Sequence, residues 1–138
     1  MALDNVRDDV QDWIIENHPY PLILTAGEAH ESADRNEILY VNRAFEEMSG
    51  YPSREIVGEK PSALQGPKTD PHLKEFMAEK LEAGKHHVAE TVNYRKNGEE
   101  YAVRMSIEPI TQDGEVTHWI SIQKDVTNNQ LRRGFETE

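Results

Sequence analysis

The sequence predicts an α+β domain in which a five-stranded antiparallel sheet carries helices on one face and a flanking helix precedes the domain. Apolar residues keep helical spacing near the start of the 138-residue chain and again after residue 70. The last third changes to strand-like patterning and contains two hairpin signals, Asn97-Gly98 and Asp113-Gly114. Two consecutive hairpins produce an antiparallel meander, and two earlier strand-like runs complete the sheet.

The first element is an amphipathic helix over residues 3–17, which ends at His18-Pro19 because the residue before proline disfavours the α region. Its acidic residues lie mainly away from an apolar face formed by Leu3, Val6, Val10, Trp13 and Ile14. This apolar face needs a partner, either the domain's own sheet or a second subunit.

Short strands are predicted over Leu22–Leu24 and Ile38–Val41, with a polar loop over residues 27–36 between them. Asn42 is placed to cap a helix that Gly50 ends. The side chains expected to point inward from this helix are Ala44, Phe45 and Met48.

A short helical turn and a longer helix follow. We expect Ser53 to cap a turn that runs to Val57 and closes at Gly58. Asp70-Pro71 is a strong helix start, because a carboxylate cap precedes proline at the first helical position. The longer helix ends at Gly84 and carries apolar residues at Leu73, Phe76, Met77 and Leu81.

Three strands are predicted over residues 88–95, 100–110 and 116–126. Both hairpin turns are expected to place two residues at positive φ. Strand alternation separates Val103, Met105 and Ile107 from Arg104, Ser106 and Glu108 on the opposite face. Alternation also puts Asn93 with Thr91, and Gln123 with Ser121 and Trp119.

Composition narrows the function classes. The net charge of −11, from 26 acidic and 15 basic residues, disfavours binding to nucleic acid or anionic membranes. Such a surface fits either an ordinary acidic protein or one from a halophilic archaeon, built for molar salt. The sequence has no cysteine, no apolar run of about 18 residues and no visible signal peptide, so we expect a cytoplasmic location without disulfides or thiolate chemistry.

Several ordered motifs resemble a known family. Similarity to the front half of a Per-Arnt-Sim (PAS) domain is carried by Tyr40-Val41-Asn42-Arg43-Ala44-Phe45, Ser49-Gly50-Tyr51 and Glu55-Ile56-Val57-Gly58. The light-oxygen-voltage (LOV) subfamily is resembled by Leu64-Gln65-Gly66-Pro67-Lys68-Thr69-Asp70, by residues 93–98 and by residues 122–127. The resemblance implies a PAS fold over residues 20–127, a flanking helix over 1–18 and an exit segment over 128–138 leading to an output domain.

The resemblance also identifies what this chain lacks. Photoactive LOV domains carry a motif similar to Asn-Cys-Arg-Phe-Leu-Gln-Gly, and residues 60–66 stand in its place. Pro61 replaces the photoreactive cysteine, so a cysteinyl–flavin adduct cannot form there. In the family one arginine holds the flavin phosphate at the position of Ser62 and a second near that of Ala78, and Val103 replaces the second of two ring-edge asparagines. The pattern therefore favours a smaller planar ligand over flavin mononucleotide.

The family's ring-edge amides are kept at Gln65, Asn93 and Gln123, and an amide suits the edge of a planar heterocycle. The predicted apolar pocket wall comprises Ile38, Phe45, Met48, Leu64, Leu73, Met77, Val103, Met105 and Ile107. In the alternative interpretation the amides bond only the backbone or each other, and the apolar set is ordinary core. The cofactor is unknown; a small planar heterocycle fits better than flavin, and haem is disfavoured because His72 is a lone polar residue in a first helical turn.

Other chemistry has little support. His86 and His87 point to opposite faces of a strand, which is poor chelation geometry, and no His-x-x-x-His pair or glycine-rich phosphate loop is present. The serines Ser62, Ser106 and Ser121 have no evident base and acid partners. We therefore do not expect an enzyme and predict no metal site.

Three functional hypotheses remain. The leading one is a sensory module of a sensor kinase or transducer, which binds a small-molecule ligand and passes the change to an output domain in the same full-length chain. A homodimer through the N-terminal helix and sheet is expected, with no nucleic acid partner and no membrane insertion. The alternatives are a ligand-free dimerisation or protein-interaction module, and a cysteine-less flavin-binding redox sensor.

Overall fold

The computed structural model describes residues 7–129 and contains the predicted five-stranded antiparallel sheet, in the order β2-β1-β5-β4-β3. The helices and strands are α1 (Asp8–Glu16), β1 (Leu22–Ala26), β2 (Ile38–Val41), α2 (Arg43–Ser49), α3 (Ser53–Ile56), a 3₁₀ turn (Pro61–Leu64), α4 (Pro71–Glu82), β3 (His87–Tyr94), β4 (Glu100–Gln112), β5 (Glu115–Asp125) and a second 3₁₀ turn (Thr127–Asn129). The predicted fold class is confirmed. Among residues 7–129, none of the helices combines the length and apolar character needed to cross a bilayer.

The two hairpin turns differ from each other. Asp113 and Gly114 both have positive φ, 53° and 80°, as predicted. In the other hairpin only Gly98 is left-handed, with φ 92°, so the prediction of a positive φ at Asn97 is wrong. The Gly98 N–H donates to the Arg95 carbonyl at 2.9 Å. This bond closes a four-residue turn over residues 95–98, in which the left-handed glycine is the last residue. The Asn97 side chain accepts from the Glu99 N–H at 2.9 Å and stabilises this longer loop.

Helix α2 has the predicted caps, since Asn42 accepts from the Phe45 N–H and Gly50 is left-handed. The predicted cap of α3 is wrong: Ser53 is its first helical residue, and its N–H donates to the Glu46 carboxylate at 2.6 Å. The Glu46 side chain of α2 therefore caps α3 in place of the Ser53 hydroxyl.

Helix α4 begins as predicted. The Asp70 carboxylate accepts from the His72 N–H at 2.8 Å, and Pro71 occupies the first helical position. His72 itself is exposed.

Helix α1 is attached by its C-terminal end, and its apolar face stays open. The Tyr40 hydroxyl donates to the Glu16 carboxylate, and burial together with this carboxylate raises the pKa of Tyr40. Trp13 is 65% exposed and Ile14 46%, so the domain's own sheet does not cover this face. Leu3 and Val6 lie outside the described residues, as does most of the predicted exit segment 128–138.

The core consists of two clusters. The sheet cluster, under α4, comprises Leu73, Ala89, Tyr101, Val103, Met105, Ile107 and Trp119. The β1–β2 cluster, under α2 and α3, comprises Ile23, Ile38, Val41, Phe45, Ile56 and Leu64. Met48 packs against both clusters, at the junction between them.

A single buried carboxamide, that of Asn42, connects the segments around this junction. Its Oδ1 accepts from the N–H groups of Leu22, at 2.8 Å, and Phe45, at 3.1 Å. Its Nδ2 donates to the carbonyls of Ile15, at 3.2 Å, and Tyr20, at 3.0 Å. The side chain is fully buried and therefore fixes α1, β1 and α2 relative to the end of β2.

We expect Asn42→Ala to lower the free energy of unfolding by about 2–4 kcal/mol, because it removes a helix cap and leaves buried backbone groups unpaired. Asn42→Asp is also expected to destabilise, since its carboxylate would face two carbonyl oxygens. Urea denaturation measures both effects. The control is Asn17→Ala, which loses one exposed hydrogen bond to the Trp13 carbonyl. A loss in Asn42→Ala no larger than that of the control would contradict the role of Asn42.

Candidate functional site

A cavity of about 270 Å³ lies between the two core clusters. The β1–β2 cluster contributes Ile23 and Leu64 to its wall, and the sheet cluster contributes apolar side chains from α4, β4 and β5. The complete lining is Ile23, Thr25, Arg35, Asn36, Pro61, Ser62, Leu64, Gln65, Leu73, Lys74, Met77, Ala78, Leu81, Thr91, Asn93, Met105, Ile107, Trp119, Ser121 and Gln123.

One side of the cavity is held by the segment from Gln65 to Asp70, which is fastened to β3. The Thr69 hydroxyl donates to the Val92 carbonyl at 2.6 Å and accepts from the Gly66 N–H at 3.1 Å. The Lys68 N–H donates to the Tyr94 hydroxyl at 2.9 Å. These contacts fix the backbone that follows Gln65, a residue of the cavity wall.

Gly66 is required by this fastening. A Cβ at this position would lie 2.6 Å from Cδ1 of Tyr94, closer than real Cβ atoms come to other heavy atoms. The segment can therefore approach the Tyr94 ring only because residue 66 has no side chain. The match between this segment and β3 is a property of shape and hydrogen bonding and does not depend on a ligand.

The sheet provides a polar patch on the cavity wall. Thr91, Asn93 and Gln123 are each less than 7% exposed, and all three face the cavity. Gln123 donates from Nε2 to the Ser121 hydroxyl at 3.0 Å. Within residues 7–129, Oε1 of Gln123 and the hydroxyl of Thr91 have no hydrogen-bond partner, although both atoms are buried. A buried unpaired polar group costs about 1–3 kcal/mol. A ligand that forms hydrogen bonds with these two atoms would remove that cost.

Eight of the eleven predicted ligand-binding residues lie on the cavity wall: Gln65, Asn93, Gln123, Leu64, Leu73, Met77, Met105 and Ile107. Their role in binding stays a prediction, but the structure brings them together. The predicted alternation on β4 and β5 also holds, with Met105 and Ile107 directed toward the cavity, and Ser121 and Gln123 beside them.

Phe45, Met48 and Val103 do not line the cavity, and neither does Ile38. Phe45 and Ile38 have no exposed surface and fill the β1–β2 cluster, so their side chains are used in packing. Val103 is fully buried and pairs on β5 with Asp125, beyond the part of the strand that carries Gln123 and Ser121. Periodicity identifies inward-facing residues but does not separate a cavity wall from solid core.

The cavity wall also includes residues that the sequence did not single out as ligand contacts. Ile23 and Thr25 belong to β1, whose alternation places both on the sheet face that carries the cavity. Arg35 and Asn36 end the polar loop before β2, and Lys74 lies in α4. The β1 pair follows from strand periodicity, whereas no local sequence signal marks Arg35 or Lys74.

The strand that carries Gln123 ends in an ionic cluster. The Asp125 carboxylate accepts from the Thr127 N–H at 3.0 Å and from Arg95 Nη2 at 2.9 Å. Burial acts in the opposite direction, but these bonds hold the pKa of Asp125 below its usual value. Arg95 also bonds Glu99 and the Met48 carbonyl, and its guanidinium lies 4.5 Å over the Tyr101 ring. The exit from the sheet is thus tied to α2 and to the β3–β4 hairpin.

A buried histidine lies beside the cavity. His87 is 1% exposed, between the rings of Phe76 and Trp119 at centroid distances of 5.9 and 6.2 Å. Its Nδ1 lies 3.1 Å from the Lys85 carbonyl oxygen, and its Nε2 is buried without a partner among residues 7–129. The predicted separation of His86 and His87 holds, since His86 is exposed.

Comparison with known proteins connects this geometry to one group. A sequence profile described as "PAS domain" matches residues 30–128. A blue-light-activated histidine kinase of Brucella anthropi is 37% identical over 114 residues, which are 82% of this chain and 22% of that protein. Blue-light-activated histidine kinase 2 of Erythrobacter litoralis is 36% identical over 132 residues, 94% of this chain and 36% of that protein. The chain thus spans about a fifth to about a third of the length of these relatives.

A solved LOV domain is also similar to this chain. The LOV domain from the Erythrobacter litoralis EL346 blue-light-activated histidine kinase is 33% identical, with a TM-score of 0.71. The match covers 79% of this chain and 97% of that domain.

We expect the buried His87 to make the free energy of unfolding decrease as the solution becomes more acidic. Burial lowers the pKa of His87 from its usual value near 6.5; the Lys85 carbonyl and Glu108 oppose this shift, and Lys80 and His86 add to it. The unfolded chain then binds a proton that the folded state does not, so stability falls as the pH drops below about 6.5, by at most about 1.4 kcal/mol per pH unit. His87→Gln should flatten this slope between pH 7.5 and 5.5, measured by urea denaturation.

His86→Gln is the control and should leave the slope unchanged. His118, whose pKa burial also lowers, accounts for part of the slope that remains. An NMR titration of wild-type His87 gives an independent reading if the variant is too unstable. A midpoint at or above 6.5 would contradict the assignment.

Proposed function

The chain belongs to the PAS domain family, within which it resembles the LOV domains and lacks their cysteine, and we propose that it is a sensory module that binds a small ligand in the cavity. The ligand would be a planar molecule of one or two rings, and its binding would be passed to an output domain in the full-length protein. The segment itself acts as a sensor and not as a catalyst.

The unpaired hydroxyl of Thr91 and the unpaired Oε1 of Gln123 carry this proposal. Both are buried on the wall of one cavity, beside the amide of Asn93. A ligand with a donor and an acceptor on its edge satisfies both groups, and the apolar walls remove its flat faces from water. A filled, ligand-free interaction module would not need such a cavity.

The cavity wall does not fit flavin mononucleotide, the cofactor that the LOV resemblance implies. Pro61 on the wall excludes only the covalent adduct, but the neutral Ser62 and Ala78 stand at or near the places of the phosphate-binding arginines and offer the phosphate no charge. The volume of about 270 Å³ is also below the range of about 300–1,000 Å³ that is typical of small-molecule pockets. A smaller ligand is therefore the better match.

The route from the cavity to the output follows β5. Gln123, on the cavity wall, is two residues from Asp125, whose carboxylate holds Thr127, the last residue before the exit segment. A ligand that forms a hydrogen bond with the Gln123 amide would shift this side chain and, with it, the end of β5. The signal would therefore reach the output domain through the bonds of Asp125 to Thr127, with the Asp125–Arg95 ion pair holding the Asp125 carboxylate in place.

We further propose a homodimer that buries the apolar face of α1, with the sheet as the second contact. Val10, Trp13 and Ile14 are all exposed on this short helix, and Ile15 is exposed beside them. A cytoplasmic location and a sensor-kinase or transducer context are parts of the same proposal.

The ligand itself is tested by native mass spectrometry of freshly purified protein, followed by absorbance and mass analysis of a denatured extract. We expect a bound small molecule in the wild type and its loss in Ser121→Phe, because the phenyl group fills the cavity. Ser106→Phe, the same change on the opposite sheet face, is the control and should keep the ligand. A clean apo mass with no uptake of added compounds would favour the ligand-free module, and a flavin in the extract would favour the redox sensor.

The dimer is tested by sedimentation of Trp13→Asp. A charge in the apolar face should convert a wild-type dimer to monomers, since it would bury an unpaired carboxylate. Val57→Asp, which changes an exposed apolar residue elsewhere on the surface, should not change the mass. An unchanged Trp13→Asp oligomer, or a monomeric wild type, would rule out α1 as the dimer contact.

A further inference from the structure

The inner wall of the cavity and its mouth differ in solvent exposure and in charge. Most residues on the sheet side of its lining are buried, including Thr91, Asn93 and Gln123. Several of the remaining lining residues are exposed and therefore form the mouth. Two of these exposed residues, Arg35 and Lys74, carry a positive charge.

No carboxylate lies among the lining residues, although acidic residues outnumber basic ones 26 to 15 in the chain. The mouth is thus a local positive site on a protein of net charge −11. Neutral ligands gain nothing from such an arrangement, whereas an anion that the protein repels at long range needs a local positive potential in order to enter.

Both cations are available to a ligand. Within residues 7–129 neither Arg35 nor Lys74 forms an ion pair with a carboxylate. Asp70, one helical turn before Lys74, uses its carboxylate to cap the N-terminus of α4.

The backbone around Arg35 is fixed. The Asn36 N–H donates to the Ala26 carbonyl at 2.8 Å, and the Ala26 N–H donates to the Glu37 carbonyl at 2.9 Å. These two bonds hold the end of the loop against β1. Arg35 therefore projects from a defined point of the cavity lining, to which Lys74 of α4 also belongs.

We propose that the ligand is a small organic anion, whose anionic group is bound by Arg35 and Lys74 while its planar body lies against Thr91, Asn93 and Gln123. This inference rests on the proposed function and adds the charge of the ligand to it. The positive charge missing at Ser62 and Ala78 is thus supplied from the β1–β2 loop and from a different position of α4.

The test compares two compounds of nearly equal shape, 2-naphthoate and neutral 2-naphthamide, by isothermal titration calorimetry on the whole chain. We expect the wild type to bind the naphthoate about tenfold more tightly, as for one charge-assisted contact at a partly exposed mouth. This preference should decrease as salt is raised, because the pairing is between accessible charges.

Arg35→Gln and Lys74→Gln should each reduce the preference about threefold, and the double variant should abolish it, with naphthamide binding unchanged. The controls are Arg54→Gln and Lys85→Gln, exposed cations that do not line the cavity. Naphthamide binding equal to naphthoate binding in the wild type, or an equal loss in the controls, would overturn the anion inference and leave the ligand-binding proposal intact. Failure of both compounds to bind would count against the proposed function and the inference together.

Discussion

The four hydrogen bonds of the Asn42 carboxamide are the constraint on which the arrangement of this domain depends. One side chain ends β2, caps α2, receives the first residue of β1 and holds the end of α1. The side chain is fully buried, and its bonds to the N–H groups of Leu22 and Phe45 are shielded from water. The position of α2, and with it the boundary of the β1–β2 cluster, follows from this junction.

The core of this small domain is divided into two clusters, and the cavity between them has a polar wall. Interiors normally exclude voids and pair their polar atoms. Here the sheet side is held by cross-strand pairing, the opposite side by the contacts of Thr69 and Lys68 with β3, and the gap stays open between two rigid walls. The unpaired Thr91 and Gln123 atoms lie in the gap because the surrounding elements are satisfied without them.

The sequence is most informative where the physics is local. The Asn42 and Asp70 caps, the Asp113-Gly114 turn and the alternation on β4 all depend on residues close to one another in the chain, and each appears in the structure. Predictions fail mostly where distant segments decide, and the positive φ expected at Asn97 is the local exception. The N–H of Ser53 bonds the carboxylate of a helix that packs beside it. Phe45 is inward, as predicted, but which inward residues face the gap depends on how two clusters meet.

Gly66 and the backbone contacts around it have a consequence for how such domains diversify. The segment is held by the Tyr94 ring, the Thr69 hydroxyl and main-chain groups, and none of these is a cavity-lining side chain. Positions 61 and 62 can therefore differ in chemistry, a thiol or a pyrrolidine ring, a guanidinium or a hydroxyl, while these contacts stay the same. Specificity and foldability are encoded in adjacent but separate residues, so a lineage can lose one chemistry and acquire another while its scaffold stays the same.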